Sequence, residues 1–178
     1  FPLPPSSVDD PAGDVAAAVF GEGMSSPLLS ELRERRGLAY HAACVADRCD
    51  LCGQFTVEVS IAPGNLESFL SELMQLLRRQ AQVTTAVDLE RARNQLAVRR
   101  LRDRDRPSRR MEQVALDLFS LGRVRAPAEL LARIETVSGE DVSDVVHRML
   151  QAGVALAVTG SLGRAASERA RTSLLLAA

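Results

Sequence analysis

Lysine is absent from this chain: all 22 basic residues are arginine. Tryptophan is absent too, tyrosine occurs once, histidine twice and cysteine three times. Each shortage removes a class of function. Without Lys, the Gly21-x-Gly23 run cannot be a Walker-type phosphate loop. With only His41 and His147, no Ser/His/Asp or Cys/His catalytic set can be assembled. Three Cys cannot all pair with one another, and a domain of this size needs no disulfide staples. A reducing compartment is therefore expected, the cytoplasm first and the periplasm as its alternative. No apolar run is long enough to span a membrane. The densest basic stretch, Arg99 to Arg110, holds seven Arg and two Asp. It has no interleaved aromatic for base stacking, so it reads as a solvated helix end and loop, and neither a nucleic-acid nor a membrane partner is expected. Arginine in place of lysine, with abundant alanine, is the coding habit of a GC-rich bacterial genome.

What is present is ordinary globular material. The 178 residues are 46% hydrophobic with a net charge of −1, enough for one domain with a real core. The start, Phe1 to Pro5, reads as the tail of a strand or a loop, since Pro cannot donate to a sheet ladder. Asp10-Pro11 opens an Ala-rich helix from Ala12 to Phe20, ended by Gly21 and Gly23. Ser26 as cap and Pro27 as first helical residue open a second helix, and Gly37 stops it. A strand follows from Leu38 to Asp47, then a turn at Arg48-Cys49-Asp50, then a returning strand from Gln54 to Ile61. There Phe55, Val57, Val59 and Ile61 alternate with polar residues, the period of a half-buried strand.

Beyond Pro63-Gly64-Asn65 the period changes to that of a helix. Leu66, Phe69, Leu70, Leu73, Met74 and Leu77 share one face. Thr85 and Asp88 predict a capping box opening a long helix with Leu89, Ala92 and Leu96 inward. Pro107 interrupts, Ser108 is expected to cap the next helix, and Met111, Val114, Ala115 and Leu118 its buried face. Pro127 starts a short helix with Leu130, Leu131 and Ile134. Ser138 and Asp141 predict a second capping box, before Val142, Val145, Val146, Met149 and Leu150. Val154, Leu156 and Val158 read as a closing strand. Strands segregated from helices predict an α+β fold: a mixed, mostly antiparallel sheet covered by helices on one face. The domain is expected to span residues 1–162, lacking its first strand, with residues 163–178 a C-terminal tail.

The functional interest lies in Gly21-Glu22-Gly23-Met24-Ser25-Ser26, followed by Leu32-Arg33-Glu34-Arg35-Arg36-Gly37-Leu38-Ala39-Tyr40. Arg33 and Tyr40 stand on either side of a sharp corner. On spacing alone, Arg33 is a helix C-terminal cation and Tyr40 an ordinary strand residue. With Gly53 to Leu77, Glu90 to Leu96, Leu121-Gly122-Arg123 and Ile134 to Val142 in the same order, however, the chain resembles one homologous domain of the pitrilysin/insulinase family of zinc metallopeptidases. It lacks the H-x-x-E-H run that holds zinc there, so the resemblance is to the C-terminal domain that binds no zinc. It implies a pitrilysin-type fold and the substrate-binding half of a peptidase, inactive by itself. It also implies zinc held by a homologous partner domain or subunit, in a homodimer or heterodimer, and a peptide substrate. Arg33 and Tyr40 would contact substrate and transition state, with Gly21, Gly23, Met24, Ser25 and Ser26 lining the cleft. A guanidinium can hold backbone carbonyls, and a phenol can donate to a developing oxyanion. The sequence departs from the family where Glu22 interrupts a Gly run, Pro27 replaces an Arg and Leu29 an aromatic.

Two other readings stand beside this one. The first is a non-catalytic scaffold or assembly subunit of the same family, which needs neither Arg33 nor Tyr40. The second is a metal or redox module on His41, Cys44, Cys49 and Cys52, whose spacing suits soft ligands. Side-chain alternation along a hairpin argues against it, because His41 and Cys44 should point to opposite faces. Buried free thiols are the expectation, and His147 is expected on a helix surface.

Overall fold

A helix with eight of its ten residues buried lies at the centre of this fold. The computed structural model describes residues 1–3, 10–48, 52–161, 163, 168–170 and 172. Helix α1 (Ala12–Gly21) is Ala-rich, and Ala16, Ala17 and Ala18 are short enough for neighbours to approach on every side. Such an all-round apolar helix is stable only when buried. The Asp10 carboxylate accepts the Ala12 N–H at 2.9 Å at its start.

Strands β1 (Ala39–Arg48) and β2 (Gly53–Ile61) pair antiparallel, with Cys44 opposite Val57 and Ala46 opposite Phe55. Pro2 bridges Gln54, Leu3 N–H donates to the Gly53 carbonyl and Phe55 N–H to that of Phe1, so the chain start runs beside β2. Phe55 and Phe20 are fully buried, with ring centroids 6.3 Å apart where sheet meets α1. Helix α2 (Leu66–Gln82) and α6 (Gly139–Gln151) lie against each other and close the core, and α6 and α3 (Ala86–Arg104) both contact α1. Leu66, Phe69, Leu70, Leu73, Met74 and Leu77 are all buried, as are Leu89, Ala92 and Leu96 of α3 and Val142, Val145, Val146 and Met149 of α6. The architecture is an α+β fold, a small antiparallel sheet against helices. No helix among the described residues is long and apolar enough to cross a membrane.

Several local expectations change. The Ser138–Asp141 box forms in both directions, but Thr85–Asp88 forms only half: Thr85 Oγ1 accepts the Asp88 N–H, while the Asp88 carboxylate binds the Thr85 hydroxyl and Arg91. Ser108 does not cap α4 (Pro107–Leu121); Pro107 occupies the first helical position after Arg106, which puts Ser108 inside. The expected apolar face of α4 is not buried. Met111 is 68% and Leu118 52% exposed, Ala115 is exposed, and the one buried residue of α4 is Asp117. Val154, Leu156 and Val158 form no strand among the described residues. Gly153, at φ +91°, turns the chain away after α6, and Leu156 and Val158 face solvent with no ladder to join. The turn at Cys49-Asp50, the boundary at Leu162 and most of the tail lie outside the described residues.

Two polar ties hold this assembly. Arg91 of α3, its side chain 17% exposed, donates to the Val19 carbonyl at 2.9 Å, to the Ser25 carbonyl at 3.2 Å and to Asp88 at 2.6 Å. It thus satisfies a carbonyl at the C-terminal end of α1, where the helix itself offers no donor. The second tie fixes α4 to the loop before α5 (Pro127–Thr136). Asp117, 1% exposed, accepts from Arg125 Nη2 at 2.6 Å, from the Arg125 N–H at 2.9 Å and from Gln113 Nε2 at 2.8 Å. Burial alone would raise the Asp117 carboxyl, but the Arg125 and Gln113 hydrogen bonds outweigh it and hold its pKa below the usual value.

Both ties make predictions. Arg91→Met should cost about 2 kcal/mol, since charge-assisted hydrogen bonds are lost and buried carbonyls left bare; Arg91→Lys should recover only part, because one ammonium cannot reproduce the planar fork. Urea unfolding reads both. For Asp117, the depressed folded pKa means its stabilisation is complete above the unfolded carboxyl pKa of about 4 and lost as pH falls through the lower folded value. Asp117→Asn should destabilise by about 3–5 kcal/mol at neutral pH. It should also flatten the fall in urea midpoint below about pH 4 relative to the unsubstituted protein; an unchanged acid limb would remove Asp117 from that account.

Candidate functional site

The loop from Gly21 to Ser26 is built by close approach. Gly21, the last residue of α1, has an ordinary φ; a Cβ there would lie 2.4 Å from Cys44 Cβ, so a side chain would push α1 off β1. Its glycine therefore serves contact, not the positive φ that the sequence suggests. Gly23 does take the left-handed region, at φ +83°, and an added Cβ would come 2.1 Å from Gln95 Nε2. Arg91 and Gln95, one turn apart on α3, form the seat on which the loop rests. Each precedes a residue of the buried stripe, Ala92 and Leu96, so both flank that stripe. That polar pair beside an apolar stripe is the sequence signal that would have found the seat.

Beyond the loop the chain winds wider than an α-helix. Residues Leu28–Arg35 form a π-helix, with Leu28, Leu29 and Leu32 buried. Its end shows the wide winding directly: Arg36 N–H donates to the Glu31 carbonyl at 3.1 Å and Leu38 N–H to the Leu32 carbonyl at 2.9 Å. Gly37, at φ +60°, lets the chain reverse into β1 as expected. Ser26 does not cap this helix by its hydroxyl. The residue is fully buried, its Oγ meets no hydrogen-bond partner, and its carbonyl accepts the Ser30 N–H at 2.8 Å. π-Turns of this kind recur at functional sites.

The two candidate contact residues occupy different environments. Arg33, near the end of the π-helix, donates from Nε to Glu34 at 2.8 Å and from Nη2 to Met24 Sδ at 3.1 Å. Met24 is itself 57% exposed, so the loop and the helix end meet at a sulfur–guanidinium contact on the surface. Tyr40, second residue of β1, is 79% exposed and bonds to no described residue. The structure thus brings Arg33 to Met24 and does not bond it to Tyr40. Ser25 is exposed and contributes its carbonyl to Arg91.

The cysteine hairpin offers no metal centre among the described residues. His41 is exposed and Cys44 turns inward beside Gly21, on opposite faces of β1, as strand alternation requires. Burial pushes the Cys44 thiol well above its ordinary pKa, the reverse of what a thiolate ligand needs. Cys52 is exposed, and Cys49 lies outside the described residues. His147 lies exposed on α6, 2.9 Å from Gln151. No group of three His, Cys, Asp or Glu side chains among the described residues could hold a metal ion. The donor set required for zinc is thus not met by these residues.

Comparison with known proteins agrees with this geometry. Residues 1–96 match the model of the peptidase M16 inactive domain. The chain is 28% identical over 144 residues to an uncharacterized zinc protease of Rickettsia bellii, covering 81% of this chain and 35% of that one. It is 26% identical over 150 residues to the mitochondrial-processing peptidase subunit alpha of Caenorhabditis elegans, covering 84% and 29%. It therefore spans about a third of the length of these relatives. Its fold is similar to that of the peptidase M16 inactive domain from Pseudomonas fluorescens, with a TM-score of 0.63 at 19% identity over 80% of this chain and 35% of that one. A glycine loop, a wide helix and a hairpin on a shared core, in a chain more than half covered by one family model, have one reading: this chain belongs to the peptidase M16 inactive-domain family, the domain of the pitrilysin/insulinase zinc metallopeptidases that binds no zinc.

Proposed function

We propose that this chain acts as a non-catalytic assembly domain, packed against a zinc-bearing homologous half on the same polypeptide or on a partner subunit. The observation that carries this reading is the match of residues 1–96 to an inactive domain, together with a length about a third of that of relatives named zinc proteases. The peptide-cleaving chemistry then belongs to the other half, and this domain contributes a wall. The domain extends to Leu162 on this reading.

A second reading is favoured by Tyr40, a large polar ring left 79% exposed and without a side-chain partner among the described residues, shortly after the Gly37 corner. Exposed aromatics with a polar tip are common contact residues. In this reading Arg33 releases Met24 and Glu34 to hold a peptide carbonyl, and Tyr40 donates to the oxyanion.

One experiment separates the two. The protein is isolated from its own host as a native complex and its stoichiometry is read by mass spectrometry; Arg33→Ala and Tyr40→Phe complexes are then assayed on an unfolded peptide. The assembly reading expects a stoichiometric half carrying H-x-x-E-H, with turnover in both variants within about twofold of the parent. Loss of about 10²-fold in kcat with the complex intact, the scale of one oxyanion donor, would transfer the assignment to substrate contact. A chain recovered alone and hydrolysing peptide by itself would overturn both.

A further inference from the structure

The surface where α3 gives way to α4 carries a feature that neither reading uses. A cavity of about 350 Å³ opens there, walled by Leu101, Val114, Val124, Pro127, Leu130 and Leu131. Much of its polar lining is engaged inwardly: Gln113 accepts from Arg100 at 3.1 Å and donates to Asp117 at 2.8 Å, and Asp117 is held by Arg125, while the buried Arg100 Nε is left without a partner among the described residues. An entering group meets apolar walls. Arg104 and Arg110 stand at the rim and are shared with a second hollow of about 340 Å³, which Pro107, Met111 and Val114 complete. The two hollows thus adjoin, with Arg104, Arg110 and Val114 common to both.

Those guanidinium groups have no partners among the described residues. Arg102, Arg104, Arg106 and Arg110 are exposed and none of their side chains bonds to a described residue, whereas Arg99, Arg100 and Arg109 of the same stretch are paired with Glu22, Asp14 and Glu112. The rim's acidic member is Asp103, half-buried, so positive charge prevails. The first turn of α4 adds its own positive end, with N–H groups that the helix leaves bare. Two independent observations therefore coincide, an apolar groove and an unneutralised cationic rim.

We infer that this groove binds an extended acidic peptide segment, one aliphatic side chain seated in the larger hollow and flanking carboxylates held by Arg104 and Arg110. The concavity selects a peptide over a bilayer, which needs apolar side chains that protrude. The aliphatic walls of the cavity select an aliphatic anchor over a polar one. Arginine forks suit carboxylates in particular.

The test is fluorescence anisotropy on the intact protein with a labelled peptide of one leucine flanked on each side by glutamates. Saturable binding is expected, weakening with salt, with a loss of about tenfold when Arg104→Glu and Arg110→Glu are combined. A similar loss is expected when serine replaces the peptide leucine, or in Leu101→Asp. Thermal unfolding of each variant confirms folding; the Arg104 and Arg110 side chains make no bonds to described residues. Absence of saturable binding overturns the proposal. So does binding unchanged in the folded double variant, or equal affinity for the serine peptide. Adsorption to phosphatidylglycerol-containing vesicles without peptide binding overturns it in favour of a membrane.

Discussion

Everything in this domain depends on burying α1 from all sides. A helix covered by a sheet, by α3 and by α6 gains apolar contact around its whole circumference, but its C-terminal carbonyls then lie where water cannot reach them. The protein answers with side chains from distant parts of the chain. Arg91 takes the Val19 carbonyl at that end, and Gln80, buried on α2, ties α2 to the middle of α1 by donating to the Ala16 carbonyl at 3.0 Å. These contacts convert a requirement of the core into a constraint on the surface. The same Arg91 that completes α1 also holds the Ser25 carbonyl, so the loop leaving α1 has its course set by the core beneath it.

That constraint explains why the loop is small and the next helix wide. Gly21 must touch Cys44 and Gly23 takes the left-handed region beside Gln95, so the chain leaves α1 along a path that favours glycine at both positions. It then has to bury Leu28, Leu29 and Leu32 and still deliver Gly37 to the start of β1. The π-winding spreads eight residues over that span and turns Arg33 back toward Met24. The exposure of Tyr40 follows from the same geometry: the bulge at Ala39 and His41 interrupts the regular register of β1 at that residue.

Periodic features were legible in the sequence, and conditional ones were not. The faces of α2, α3 and α6, the alternation of β2, the Gly37 stop and the Ser138 cap all follow from local chemistry, and the fold class follows from their order. The failures have physical causes in common. Ser26 reads as a cap because its type suits one, yet helix ends are fixed by backbone geometry, and a π-helix begins differently. Met111, Ala115 and Leu118 have helical spacing, but spacing says only that residues share a face, not that anything covers it. Val154 to Val158 have strand composition, and a strand exists only where a neighbour supplies the other half of each hydrogen bond. At the candidate site the motif located Arg33 and Tyr40, but the Met24 contact and the Arg91 clamp are tertiary facts with no local period.

The domain therefore has two tiers with different glue. Around α1 the cohesion is apolar and close-packed, and loss of any one contact is shared by many neighbours. The α4 helix, by contrast, is held by Gln113, Asp117 and their arginine partners, with one buried residue to its name. A polar attachment is directional: it fixes where α4 sits without covering its apolar side chains. A helix anchored in this way keeps a groove open beside it, whereas an apolar attachment would have closed the groove by collapse. The exposed face of α4 and the cavity at its foot thus have one cause, a buried ion pair where α2 and α6 bury apolar faces.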